Sequence, residues 1–258
     1  MPHFAANLTM MFNEVPFLDR FGVAREAGFK SVEYLFPYDY EREEIRARLD
    51  EHGLEQALFN TPPGDWNAGD RGAAAMPGLE ARFDEDLGRA LRYAETLRPR
   101  NIHIMAGLAQ GPRARATYIA NLKRACAGAP DQGFVIEPIN NRDMPGYHLA
   151  TTDDARAVIA EVGAPNLRLQ LDLYHCQIME GDLTRRIEAL GSFIGHVQVA
   201  SVPDRHEPNQ GETDFAHLMK TLDRIGYQGW VGCEYRPAGA TEAGLSWFAP
   251  YRDQETQS

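Results

Sequence analysis

Cysteine is scarce in this sequence: Cys126, Cys176 and Cys233 are odd in number, far apart and without a CxxC pair. That pattern excludes a disulfide framework and a zinc knuckle, and it suits a reducing compartment. Positive charge is in deficit as well, with 26 Lys and Arg against 37 Asp and Glu for a formal net charge of -11. Such a balance argues against nucleic acid or an anionic membrane held by broad electrostatic attraction, and it favours small-molecule chemistry. No apolar run approaches the roughly 20 residues that a bilayer span needs. The N-terminal MPHFAANLTMMFNEVPF has no basic leader and is interrupted by Asn7 and Asn13, so it does not read as a signal peptide. The expectation is a soluble cytoplasmic protein. Low-complexity tracts and linker-like breaks are missing, so one domain over 1–258 is expected, with the polar tail from about 252 to 258 frayed.

What is present is a repeat. Eight segments read as strands: Phe4 to Leu8, Ser31 to Leu35, Gln56 to Asn60, Asn101 to Met105, Phe134 to Glu137, Leu167 to Asp172, His196 to Ala200 and Trp230 to Glu234. Between them lie amphipathic stretches. In VPFLDRFGVAREAG, Phe17, Phe21 and Ala24 recur at helical spacing and Gly28 offers a stop; Gly226 does the same in LMKTLDRIGYQGW. EREEIRARLDEHG and PGLEARFDEDLGRALRYAETL alternate apolar and charged positions as surface helices do. Eight βα repeats in 258 residues predict an α/β fold, a single (β/α)8 TIM barrel, which typically takes about 250 residues.

Four of the strand candidates end in an oxygen-bearing side chain: Glu137, Asp172, Gln198 and Glu234, at intervals of 35, 26 and 36 residues. In such a barrel the carboxyl ends of the strands converge on one rim. Any one of these residues alone would read as a polar group bonded to its own loop. Together they read as a site, because acidic residues are seldom buried unless paired or coordinating. A divalent cation on all four removes the mutual repulsion of the carboxylates, and an oxygen-only donor set points to Mg2+ or Mn2+ rather than zinc. Such a site suits proton abstraction beside a carbonyl, with Glu137 and Glu234 as the acid/base pair on opposite sides of the substrate.

Around this set stand candidate substrate contacts. His175 follows Asp172 by three residues, placed to reach substrate without ligating the metal. Arg205, beyond Gln198, supplies the planar fork that a small keto acid's carboxylate calls for. Asp143 is placed to bond a substrate hydroxyl, and Glu33 and His103 fall near the ends of the second and fourth strands, behind the ligands. The Gly- and Pro-rich loop NTPPGDWNAGDRGAAAMPG carries Trp66, as a lid over substrate would.

On these residues the chain closely resembles the hydroxypyruvate isomerase and 2-oxo-tetronate isomerase family, within the xylose isomerase-like barrels. The segments that carry the likeness run nearly end to end: FAANLTMMFNEVPFLDRF, VEYLFPYDY, LFNTPPGDWNAGDRG, IHIMAG, EPINNRDMPGY, LQLDLYHCQIMEGDL, HVQVASVPDRHEPNQGE and GYQGWVGCEYRP. The resemblance implies a metal on Glu137, Asp172, Gln198 and Glu234, the two glutamates as acid and base, and His175 and Arg205 on substrate. It implies interconversion of hydroxypyruvate and 2-hydroxy-3-oxopropanoate through an enediol, or the same step on the four-carbon 2-oxo-tetronate. A homo-oligomer is a further family-level expectation. Related ketose 3-epimerases carry histidine where this chain has Gln198, which favours the isomerase branch.

Two further readings compete. An endonuclease IV-like nuclease shares the barrel but needs a multi-zinc, histidine-rich cluster and a basic face. A non-catalytic sugar-acid binding protein would explain Arg205 but not paired glutamates on a metal.

Overall fold

The computed structural model describes residues 2–252. Its eight strands are β1 (His3–Asn7), β2 (Ser31–Glu33), β3 (Glu55–Asn60), β4 (Asn101–His103), β5 (Gly133–Ile136), β6 (Leu167–Asp172), β7 (Ile194–Gln198) and β8 (Trp230–Cys233). All neighbours are parallel, and β8 closes on β1, giving a barrel in sequence order. Each strand lies where the sequence reading expects it, with ends shifted by one or two residues. Glu137 and Glu234 therefore stand one residue past β5 and β8 rather than within them.

The helices are α1 (Arg20–Glu26), α2 (Arg42–His52), α3 (Glu80–Leu97), α4 (Gly111–Gly128), α5 (Thr152–Val162), α6 (Leu173–Met179), α7 (Leu183–Leu190), α8 (Phe215–Arg224) and α9 (Ala249–Arg252). Phe17 falls in a 3-10 turn that leads into α1, whose Phe21 and Ala24 are buried. Gly53 ends α2 in the left-handed region at φ 60°, where a Cβ would be strained. In α8 the apolar stripe Leu218, Met219 and Leu222 is buried while charged residues face out. The expected frayed tail lies outside the described residues, except Arg252, which ends α9.

The buried apolar side chains form one large cluster, and Ala5, Ala57, Leu58 and Val135 form a small second one. Because successive side chains point to opposite faces, Val135 shares a face with Glu137, Gln170 with Asp172, His196 with Gln198 and Gly232 with Glu234. Register then levels these positions: Asp172 pairs with Gln198, and Gln198 with Gly232. No helix among the described residues is long and apolar enough to cross a membrane.

Candidate active site

At the carboxyl end of the barrel, one ligand-capable atom each from Glu137, Asp172, His175 and Glu234 lies within 4.8 Å of the others. All four side chains are buried. Local structure fixes them: Asp172 ends β6 and caps α6, accepting from Tyr174 N at 2.8 Å through Oδ1. Its Oδ2, like Glu137 Oε1, has no hydrogen-bond donor. Oxygens so placed are costly to bury and complementary to a cation. The described residues thus offer a donor set that fits a divalent metal.

His175 lies on the first turn of α6. Its Nδ1 is 2.6 Å from Asn140 Nδ2, whose oxygen is taken by the backbone N–H of Arg142 and Asp143. An amide nitrogen donates, so Nδ1 accepts and Nε2 carries the proton, facing Asp172 Oδ2 at 3.4 Å and Glu137 Oε1 at 3.9 Å. In this tautomer His175 is a donor rather than a ligand. His103, the last residue of β4, stands with Nδ1 3.6 Å from Glu137 Oε2.

Arg205 is the cation of the site. Its Nη2 meets Glu234 Oε2 at 2.8 Å and Asp172 Oδ2 at 3.6 Å, Nη1 lies 3.8 Å from Asp143 Oδ2, and the guanidinium sits 4.8 Å from the Tyr174 ring centroid. The residue is held at φ 57°, an uncommon conformation for a side chain of this size.

Burial dominates the protonation of the cluster. It raises Glu137 well above the ordinary carboxylate range, with the charges of Glu234 and Asp172 adding to it. It lifts Glu234 to about 8 against the opposing charge of Arg205. Burial also holds His103 at about 3 and His175 at about 4, so both imidazoles are neutral at physiological pH. Burial acts to raise Asp143 too, but hydrogen bonds from Asn140 and Tyr174 and the charge of Arg205 outweigh it and leave it lowered.

Gln198 is placed differently from the other expected ligands. It is fully buried at the end of β7, and its Oε1 accepts from Gln170 Nε2 at 2.6 Å. Its Nε2 donates to Glu33 Oε1 at 2.8 Å. Above the cluster opens a cavity of about 1090 Å³ into which His103, Glu137, Asp143, His175, Arg205 and Glu234 all project. Trp66, 39% exposed, borders it, with Arg71 stacked at 3.7 Å from its centroid and Phe36 at 5.6 Å. The structure thus brings His103, Glu137, Asp143, Asp172, His175, Arg205 and Glu234 together at one end of the barrel with Trp66 at the mouth, while Gln198 is buried at the end of β7 between Glu33 and Gln170.

Asn140, Gln170 and His196 escaped the sequence reading. Gln170 and His196 had a usable signal, since each stands two residues before an expected ligand on the same strand and therefore on its face. Asn140 had none beyond its place in EPINN.

A parallel barrel with a buried carboxylate cluster at its carboxyl rim, one that could hold a metal, is an architecture of TIM-barrel enzymes that work on small molecules. Residues 21–251 match the sequence model of the xylose isomerase-like TIM barrel, and the chain belongs to that family. It is 54% identical over 257 residues to a 2-oxo-tetronate isomerase of Cupriavidus necator, covering 97% of this chain and 99% of that one. To a hydroxypyruvate isomerase of Escherichia coli (strain K12) it is 44% identical over 258 residues, covering 98% and 100%. A solved structure described as AP endonuclease, family 2, from Brucella melitensis superposes with a TM-score of 0.96 at 52% identity, covering 98% and 100%. The protein is an isomerase of this family.

Proposed function

We propose that this isomerase acts in the cytoplasm on a small 2-keto acid bearing a hydroxyl on C3, and moves the carbonyl from C2 to C3. With hydroxypyruvate the product is 2-hydroxy-3-oxopropanoate. The observation that carries the reading is the pair Glu137 and Glu234: two buried carboxyls of raised proton affinity, within 4.8 Å of one another across the cluster. A base and an acid of this kind are what a proton transfer between adjacent carbons needs near neutral pH.

One glutamate takes the proton from C3 as the C2 oxygen is protonated, giving the C2–C3 enediol; a proton then returns at C2 while the C3 hydroxyl gives up its proton, replacing the one the C2 oxygen took, and becomes the carbonyl. Mg2+ or Mn2+ on Glu137, Asp172, Glu234 and the Gln198 amide supplies, when bound, positive charge beside the substrate oxygens. Arg205 lines the cavity and orients the substrate carboxylate through its guanidinium. His175 offers its Nε2 proton to a substrate oxygen. Asp143 accepts from a hydroxyl, neutral His103 lines the wall beside Glu137, and Trp66 covers the entrance.

The four-carbon acid 2-oxo-tetronate differs by a hydroxymethyl group on C3 and undergoes the same step. The higher identity to the Cupriavidus enzyme of that name favours it. A nuclease, the name given to the Brucella structure, is opposed by the net charge of -11. The test is turnover by chelator-treated protein resupplied with Mg2+ or Mn2+, in parallel on hydroxypyruvate, 2-oxo-tetronate and fructose. Metal-dependent isomerisation of a keto acid is expected; activity on the ketose alone would move the protein to the 3-epimerases, and activity on none would overturn the reading.

A further inference from the structure

Glu33 ends β2 inside the barrel with no exposed surface. Among the described residues its carboxylate bonds to no arginine or lysine: it accepts from Asn7 Nδ2 at 2.9 Å, Gln198 Nε2 at 2.8 Å and His196 Nε2 at 2.7 Å. The fold makes room for it, since a Cβ on Gly232 would collide with this carboxylate. A carboxylate buried without a cationic partner carries a desolvation cost that its hydrogen bonds must offset, so its retention points to a site that it serves.

Its three partners lead to different places. Asn7 turns its oxygen back to the backbone N–H of Thr9, and His196 Nδ1 has no partner. Gln198 leads onward: its Oε1 accepts from Gln170 Nε2, two residues before Asp172 on β6. A hydrogen-bonded chain therefore runs from Glu33 through Gln198 to Gln170, on the strand that carries Asp172.

We infer that Glu33 is the positioning residue for Gln198. An amide nitrogen only donates, and Glu33 Oε1 accepts from it; the nitrogen of Gln198 is held there, and its oxygen is turned away from Glu33 toward β6, where Gln170 Nε2 meets it. The negative charge behind the nitrogen draws electron density onto that oxygen and makes a neutral amide a better donor to a cation. This rests on the reading that the cluster holds a divalent metal. Without Glu33 the amide has two nearly isosteric orientations, one of which turns an NH2 group toward the cation.

The test is Mn2+ binding measured by calorimetry on chelator-stripped wild type, Glu33→Gln, Gln198→Leu and the double variant, with circular dichroism to verify the fold. Glu33→Gln is expected to bind Mn2+ roughly 10–100-fold more weakly, and the double variant no more weakly than Gln198→Leu alone. Wild-type affinity in Glu33→Gln, or two losses that simply add, would overturn the inference while leaving the metal site intact. A wild-type protein that binds no Mn2+ would overturn the metal reading and this one together. Should Glu33→Gln not fold, NMR of the wild type decides. The Gln198 side-chain NH2 is expected to stay protected from solvent exchange while its carbonyl carbon shifts on Mg2+ addition; an NH2 that exchanges freely refutes the inference.

Discussion

Replacing Arg205 with methionine removes the cation from the rim while keeping much of the side chain's length and apolar bulk. The guanidinium stands 2.8 Å from Glu234 and 3.6 Å from Asp172, in a buried setting. Breaking a buried pair by deleting one partner costs about 3–5 kcal/mol, because the other charge is left without compensation. In a protein of this size that corresponds to a fall in Tm of roughly 6–20 °C. The loss has an upper limit, since Glu234 can take a proton instead, and Arg205 is the main charge holding its pKa down. The deficit should therefore be largest near pH 8, shrink toward pH 6, and be largely restored by Mn2+, which supplies the missing positive charge. Differential scanning calorimetry of wild type and Arg205→Met, in chelator and in Mn2+ at both pH values, reads all three effects. A variant as stable as wild type in chelator at pH 8, or a deficit that ignores both acid and metal, would show that Arg205 does not compensate this cluster.

The metal-free protein should gain stability as pH falls from 8 to about 6.5, because Glu137 and Glu234 hold protons more tightly folded than unfolded. Below about 6.5 the gain should level off. There His103 and His175, held at about 3 and 4 in the fold, take up protons only on unfolding and oppose it. Urea titrations at several pH values check both limbs, and saturating Mg2+ should flatten the upper one. Glu137→Gln should lower turnover by about 10²–10⁴-fold while a non-reacting keto-acid analogue still binds; lost binding with it would argue against a proton-transfer role. Gly232→Ala places a methyl against the Glu33 carboxylate and should cost about 1–3 kcal/mol by chemical denaturation, whereas a neutral result would mean the interior yields there.

Much of this protein was legible before any coordinates. The eight strands follow from β-prone apolar segments spaced by helix-length amphipathic stretches, and parallel strands so connected close into a barrel in sequence order. Strand ends gave Glu137, Asp172, Gln198 and Glu234 as one set, because the barrel carries every strand's carboxyl end to the same rim. The sequence could not show how far each side chain reaches across that rim. His175 joins the cluster because α6 begins immediately after Asp172 and Asn140, from another loop, fixes its tautomer. Gln198 is bound at both ends of its amide by Glu33 and Gln170, which lie 165 and 28 residues away in sequence. Composition and periodicity thus determined the class of fold and the side of it on which chemistry occurs. Which donors face which acceptors, and which carboxyls hold their protons, was decided only when closure of the barrel removed water from groups that local sequence leaves independent.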